Sequence, residues 1–386
     1  MTLFLAEQAR TMSHPEKFGG PLIHPARVKW LRDAIAAGTL TPRMQAKWNT
    51  VMARPAVHII SRPAAVWNIP ENYDSDDDSN QVLLAQFRAD SEPAVDYAWR
   101  YLVHGNESDA EQVVRILNEY ALTPSFATNP GSTLNWFEGW ALLIQAAMMV
   151  RGSVAYTPTV ETNFKAVIQL AFNTLEPIAY TRPNNWAAWG LAMEMIAAPF
   201  FNDRPRMIRA CTRWRQLFDT SVRSGISLQG EIRNNIPILE IYRMGAGQGN
   251  GAYGLLYSNF HLSGMTVAAE YARLNGEWLF DHVTPDGSNL QGWFTQQVYW
   301  TRYPTFEVLW FNTSDEPQYE GTSYYRSGAY TNRIGQYVDI LGALWPNAMA
   351  DSLMEYAGSQ PSYNISADFD GFRGAELAYR HRPLYG

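Results

Sequence analysis

The chain has 386 residues and a formal net charge of −7, with 46% hydrophobic and 17% charged residues. That balance belongs to a globular protein with a substantial core and excludes a disordered one, and an acidic chain with no basic run argues against a nucleic-acid partner. The single cysteine, Cys211, excludes an intrachain disulfide and a thiolate metal site.

Residues 1–23, with Pro15, Gly19, Gly20 and Pro21, read as an irregular N-terminal arm, and residues 24–386 as one domain. His24 to Met52 reads as two short helices broken at Gly38–Pro42. Residues 54–80 are irregular and end in the acidic run Asp74 to Ser79. That run lacks the glycine and glutamate of a calcium loop, so it reads as a solvated loop. From Gln81 the chain is a succession of helical patterns joined by polar turns. They cover Gln81–Val103 with an interruption near Pro93, Asp109–Leu122 with Ser108 as N-cap, Asn135–Arg151, Val160–Leu175, Trp186–Phe200 and Arg206–Ser224. The rhythm returns over Tyr253–Leu274, Leu290–Thr301, Thr322–Leu344 and Ala348–Ala357. Strand signals are sparse. Paired helices in this number predict an all-α ring or solenoid of helical hairpins, with function in the loops at one end.

Several chemistries find no footing. The seven histidines, at positions 14, 24, 58, 104, 261, 282 and 381, show no HxxxH or HxH spacing, so neither metal nor cofactor is expected. There is no GxSxG elbow. The glycine loop from Gly245 to Gly251 lacks the preceding strand of a dinucleotide fingerprint and reads as a hinge or lip. Paired carboxylates for glycoside hydrolysis are available in Asp109, Glu138, Glu194, Asp286, Asp368 and Asp370, but sequence does not give their separations.

Three stretches carry positive signals. Asn135 with Trp136, and Asn184 and Asn185 with Trp186, stand at expected helix starts, where free N–H groups suit a carboxylate ligand. Taken singly, each stretch is better read as an asparagine cap with tryptophan in the core. Tyr253, Tyr257 and His261 are spaced four apart, so a helix would stack them on one face just after Arg243 and the glycine loop. The aromatic load (14 Trp, 21 Tyr, 17 Phe) leans toward a carbohydrate cleft or toward a large helical core. Arginine outnumbers lysine 26 to 4, which suits a polyanionic ligand or reflects the base composition of the genome.

Taken together these stretches resemble the alginate-lyase superfamily of polysaccharide lyases. HPARVKWLRDAIAAG is similar to that family's first helix, and AWRYLVHGNESDAEQVVRILNEYA to its next helix pair. NNWAAW is similar to its NNHxYWAAW. LEIYR followed by LLYSNFHLSGMTVAAEYARLNG, and then GEWLFDHVTPDGSNLQGW, follow its later segments in order. The resemblance implies an (α/α) toroid that takes an anionic polysaccharide and no cofactor. It implies a monomer that works outside the cytoplasm, secreted or periplasmic, without contact to nucleic acid or membrane. No signal peptide is expected in this chain, since the apolar stretch Met1–Leu5 is too short for one.

By the same resemblance Tyr257 stands at the family's catalytic tyrosine, Arg243 at its supporting arginine, and Asn184 and Asn185 at its asparagine pair. Trp136, Trp186, Asn135, Tyr253, His261 and Arg380 are the candidates for holding substrate. Two departures stand out: the histidine of NNH is missing, and the Arg243-to-Tyr257 spacing is enlarged by the glycine loop.

A uronate lyase takes the C5 proton and expels the sugar on O4, so it must first neutralise the C6 carboxylate. In β-D-mannuronate and β-D-glucuronate the C5 proton and O4 share a ring face, and one group can serve both. α-L-Guluronate needs a second group, so a site with tyrosine and no NNH histidine is expected to favour syn elimination. A nearby arginine would be needed to lower the tyrosine, since a free phenol titrates near about 10.

Overall fold

The computed structural model describes residues 18–55, 65–69, 78–181, 183–228, 231–240, 254–302, 337–359 and Leu377. Helices α1 (Pro25–Ala37) and α2 (Pro42–Met52) each begin with proline in the first turn, behind His24 and Thr41 as caps. Gly38 ends α1 at φ 65°, a left-handed cap that suits glycine. Then come α3 (Asp78–His104), α4 (Glu107–Tyr120), α5 (Pro130–Met149), α6 (Pro158–Ala179), α7 (Asn185–Phe201) and α8 (Arg204–Ser221). Two short antiparallel ribbons follow: β1 (Val222–Arg223) pairs with β4 (Ile236–Pro237), and β2 (Ile226–Leu228) with β3 (Glu231–Arg233). Helices α9 (Gly254–Arg273), α10 (Leu290–Arg302), α11 (Tyr337–Leu344) and α12 (Ala348–Ser359) complete the described chain.

The helices form two layers. α3, α5, α7 and α9 pack each against the next as an inner row, while α4, α6 and α8 pack on their outer side. Sequence explains the division. α7 reads NWAAWGLAMEMIAAPFF and is buried on every side, as an all-round apolar helix must be, whereas α4 and α8 alternate buried and exposed positions. This is the (α/α) toroid. Because α3, α5 and α7 are each followed by a short connection and an outer return helix, these three inner helices run the same way and their N-termini share one end. At the other end Arg151, just beyond α5, donates to the carbonyl of Phe200 in the last turn of α7 at 2.8 Å.

The structure differs from the sequence reading at three points. α3 runs unbroken through Pro93, because neighbours such as Ala94, Val95 and Trp99 are fully buried and outweigh one lost backbone bond. Ser108 lies inside α4, whose N-cap is Asn106. α5 begins five residues before the expected start, with Asn129 accepting the Ser132 N–H at 2.8 Å, so Asn135 is interior to the helix. Among the described residues much of the aromatic content goes into the core: Trp67, Trp99, Trp136, Trp140, Trp189, Trp214 and Trp293 are all fully buried. Val222, Leu262, Trp293 and Leu377 belong to the same continuous hydrophobic cluster as Leu22.

Candidate active site

The N-terminus of α7 offers the first elements of a site. Asn184 is the N-cap; its Oδ1 accepts the Trp186 N–H at 3.2 Å. Asn185 follows as the first helical residue. It is 4% exposed, and its backbone N–H donates to Glu240 Oε1 at 2.6 Å. Its Oδ1 is buried with no hydrogen-bond partner among the described residues, so the scaffold does not use that oxygen. The dipole of a helix start favours an anion here, although the Asn185 and Trp186 N–H groups are already given to Glu240 and Asn184.

α9 lies against α7 at unusually close range. A Cβ on Gly264 would fall 2.9 Å from Ala188 Cβ and 3.1 Å from the Trp189 backbone nitrogen. Only glycine permits that approach. The contact brings the first half of α9, with Tyr257 and His261, beside the start of α7.

Glu240, just beyond the ribbons, joins the two helices. Its carboxylate is fully buried, and the oxygen that accepts from Asn185 also lies 3.2 Å from His261 Nδ1. That approach is within ion-pair range but outside hydrogen-bond alignment. On its other side His261 Nε2 is 3.3 Å from Ser221 Oγ, whose hydroxyl donates to the Leu217 carbonyl at 2.6 Å. The Trp293 ring closes the edge of the imidazole, with centroids 5.4 Å apart.

Tyr257 sits one turn before His261 on the same face of α9 and is half-buried, with its ring 6.3 Å from that of Phe260. The other expected residues are distributed unevenly. Trp186 keeps 8% exposure at the head of α7. Trp136 has none: it packs edge-on to Phe137 and Phe172, which withdraws it from any stacking platform. Asn135 is 3% exposed, and its Nδ2 donates to the Gly131 carbonyl at 2.9 Å, a helix-internal bond in place of the expected cap. His261 is fully enclosed. Arg243, Tyr253 and Arg380 lie outside the described residues, as does the Gly245–Gly251 loop.

Of the six carboxylates weighed for hydrolysis, the three that the structure describes are committed elsewhere. Asp109 pairs with Arg100 at 2.8 Å and Glu194 with Arg213 at 2.8 Å. Burial pushes the Glu194 carboxyl up to about 8, with Glu176 adding to the effect and Arg213 only partly offsetting it. Asp286 folds back on Thr284, Ser288 and the Ser224 N–H, and these hydrogen bonds outweigh slight burial to hold it at about 2. Asp368 and Asp370 lie outside the described residues, as does the side chain of Glu138. Among the described residues no group of three His, Cys, Asp or Glu could hold a metal ion, and no helix is long and apolar enough to cross a membrane.

Glu240 is the residue that sequence reading passed over. Its signal was present: a lone acid inside the apolar run Ile236 to Ile241 has to be paired if that run is buried.

Comparison with known proteins agrees with this architecture. An alginate lyase from Bacteroides ovatus superposes with a TM-score of 0.63 at 11% identity, over 94% of this chain and 99% of that one. Alginate lyase A1-III from Sphingomonas species A1 gives 0.64 at 14% identity, over 96% and 100%. A tyrosine-to-phenylalanine variant of alginate lyase A1-III, complexed with a tetrasaccharide, gives 0.67 at 14% identity, over 95% and 97%. Identities this low speak for the fold alone. No curated protein matches the sequence significantly. Residues 58–304 match the family model for alginate lyase, and a match of that length, taking in every helix that carries the candidate site, makes the chain a member of the alginate lyase family.

Proposed function

We propose that this member of the alginate lyase family, a polysaccharide lyase by class, cleaves a β-1,4-linked polyuronate by syn elimination. The substrate is glucuronan or the mannuronate blocks of alginate, with glucuronan favoured because the NNH histidine is absent. Asn185, Asn184 and Arg243 neutralise the C6 carboxylate, which lowers the cost of the enediolate that forms when C5 loses its proton. The Tyr257 phenolate takes that proton. The C5–H electron pair becomes the C4=C5 double bond, the C4–O4 bond breaks, and O4 leaves with the proton Tyr257 has just received. No water or cofactor is consumed, and the products are a 4,5-unsaturated uronate end and a new hydroxyl end.

The observation that supports this reading most is the linkage of α7 to α9. Asn185 reaches Glu240, Glu240 reaches His261, and His261 shares its helix face with Tyr257. The enclosure of His261 also favours a single reacting group on one side of the sugar ring, since a second base on the opposite face would have to reach substrate. Trp186, Tyr253 and Arg380 are assigned to the groove, and the protein is taken to act outside the cytoplasm as a monomer on residues 24–386 as one domain.

The test is direct. Incubation with glucuronan, polymannuronate, polyguluronate and hyaluronan, followed by ultraviolet absorbance, should show unsaturated uronate from the first two. Reducing ends without that absorbance would mean hydrolysis, and equal rates on polyguluronate would remove the syn mechanism.

A further inference from the structure

We propose that Asn259 is a positioning residue for the proposed elimination: through a buried hydrogen-bond knot with α10 and α11 it sets the angle at which the first half of α9 turns, and so where the Tyr257 phenol points. Its kinetic consequence rests on the lyase reading, while the placement of the Tyr257 ring can be measured without it.

Asn259 stands two residues after Tyr257 and so about 200° round the helix from it. Its side chain is buried, and hydrogen bonds tie it to two other helices. Oδ1 accepts from the Tyr337 hydroxyl of α11 at 2.7 Å and from Gln297 Nε2 of α10 at 3.1 Å. Nδ2 donates to Thr301 Oγ1 of α10 at 3.4 Å, and the Thr301 hydroxyl in turn donates to the Gln297 carbonyl at 2.8 Å. Gln297, Thr301 and Tyr337 are fully buried as well.

Polar groups cost free energy in a core unless they are paired, and apolar side chains would fill the same space without that cost. What the knot adds is direction. Apolar surfaces lose little when one helix turns slightly against another, whereas a hydrogen bond weakens steeply once its angle opens. Two contacts farther along α9 leave that angle open near Tyr257. Gly264 has no side chain to resist a turn against Ala188, and Trp214 Nε1 reaches the Met265 carbonyl more than two turns on. A turn of roughly 10° about the axis carries a tyrosine oxygen by more than about 1 Å. A misplacement of that size is enough to cost about 100-fold in an aligned proton transfer.

The experiment uses the full-length protein and whichever polyuronate the parent cleaves. Asn259→Leu keeps the branched shape and removes the polar atoms, so kcat should fall by about 10- to 100-fold with KM within about threefold. Tyr337→Phe removes one oxygen and no carbon, and should lower kcat by about three- to tenfold. Val298→Ala is the control. It empties a buried position on α10 without touching the knot, so it should lower the thermal midpoint yet keep kcat within about twofold. In parallel, fluorine NMR of the fluorotyrosine-labelled chain reads the ring directly. The resonance missing from Tyr257→Phe should shift or split in Asn259→Leu and stay in place in Val298→Ala.

A folded Asn259→Leu with the parent's kcat would overturn the proposal. So would a Val298→Ala that loses as much turnover as Asn259→Leu, because the loss would then follow stability and not direction. Should Asn259→Leu fail to fold, Tyr337→Phe decides, and an unchanged kcat there overturns the proposal. If the parent releases no unsaturated uronate from any polymer, the lyase reading fails, and the fluorine spectrum still decides. A Tyr257 resonance unmoved in both Asn259→Leu and Tyr337→Phe would mean that the knot does not place the ring.

Discussion

Gly264 and Ala188 mark a close approach of two helices beside the candidate site: a Cβ on the glycine would fall 2.9 Å from that of the alanine and 3.0 Å from its carbonyl carbon. Backbone cannot swing aside as a long side chain can, so Gly264→Ala must push α9 away from α7. The expected cost is about 1–3 kcal/mol of stability from overpacking. Because Asn185 and Tyr257 ride on the two separated helices, kcat/KM should fall by on the order of 10- to 100-fold. Gly342→Ala in α11 is the control. It meets nothing within 4 Å, so removing a helical glycine there should stabilise by up to about 1 kcal/mol. Thermal unfolding of both variants checks the opposite signs.

The same pair shows what sequence could and could not reveal. Helix existence was legible because the apolar spacing of α4, α6 and α8 needs only local pattern, and capping residues such as Thr157 and Asp203 mark starts. The ring was legible only through the order of its motifs. The site was legible in part. Asn184 and Asn185 stand at a helix start as expected, since capping is a local property. Trp136 was misread because burial depends on what packs across from it, here Phe172 of another helix. Glu240 and Ser221 escaped notice because their partners lie 55 and 40 residues away in sequence, at distances no spacing rule reaches.

Tyr257→Phe removes one oxygen and keeps the ring against Phe260. If the phenol both takes and returns the proton, turnover should fall by about 100- to 10,000-fold while substrate affinity stays within a few-fold. Initial rates and calorimetric titration with a polymer fragment measure the two quantities. Retained turnover would remove Tyr257 from the chemistry.

Asn185 tests the electrostatic half. Asn185→Ala leaves the backbone N–H to Glu240 in place and removes only the side-chain amide. Loss of one preorganised donor should cost on the order of 100- to 1000-fold in kcat. Asn185→Asp should be worse in KM than Asn185→Ala, because it sets a like charge against a uronate. That excess should shrink as salt is raised, since screening weakens the repulsion. Asn184→Ala, by contrast, removes a cap and should cost about 0.5–2 kcal/mol of stability, read from thermal unfolding.

Glu194 contributes one part of how stability depends on pH. Its carboxyl is pushed from an ordinary 4.5 up to about 8 by burial first and by Glu176 next, against the pull of Arg213. Below the ordinary value both folded and unfolded chains carry the proton, and Glu194 makes no pH-dependent difference. As pH rises from there toward the raised value, the unfolded chain releases the proton and the folded one keeps it. The folded state then binds more protons, so stability falls with rising pH across that window and levels off above it. Glu194→Gln cannot ionise and should lose this slope. Its stability relative to the parent should therefore improve steadily from about pH 5 to about pH 8, by on the order of a few kcal/mol at most. Thermal midpoints of both proteins across the window decide it, because parallel pH profiles would mean that Glu194 is already ionised beside Arg213.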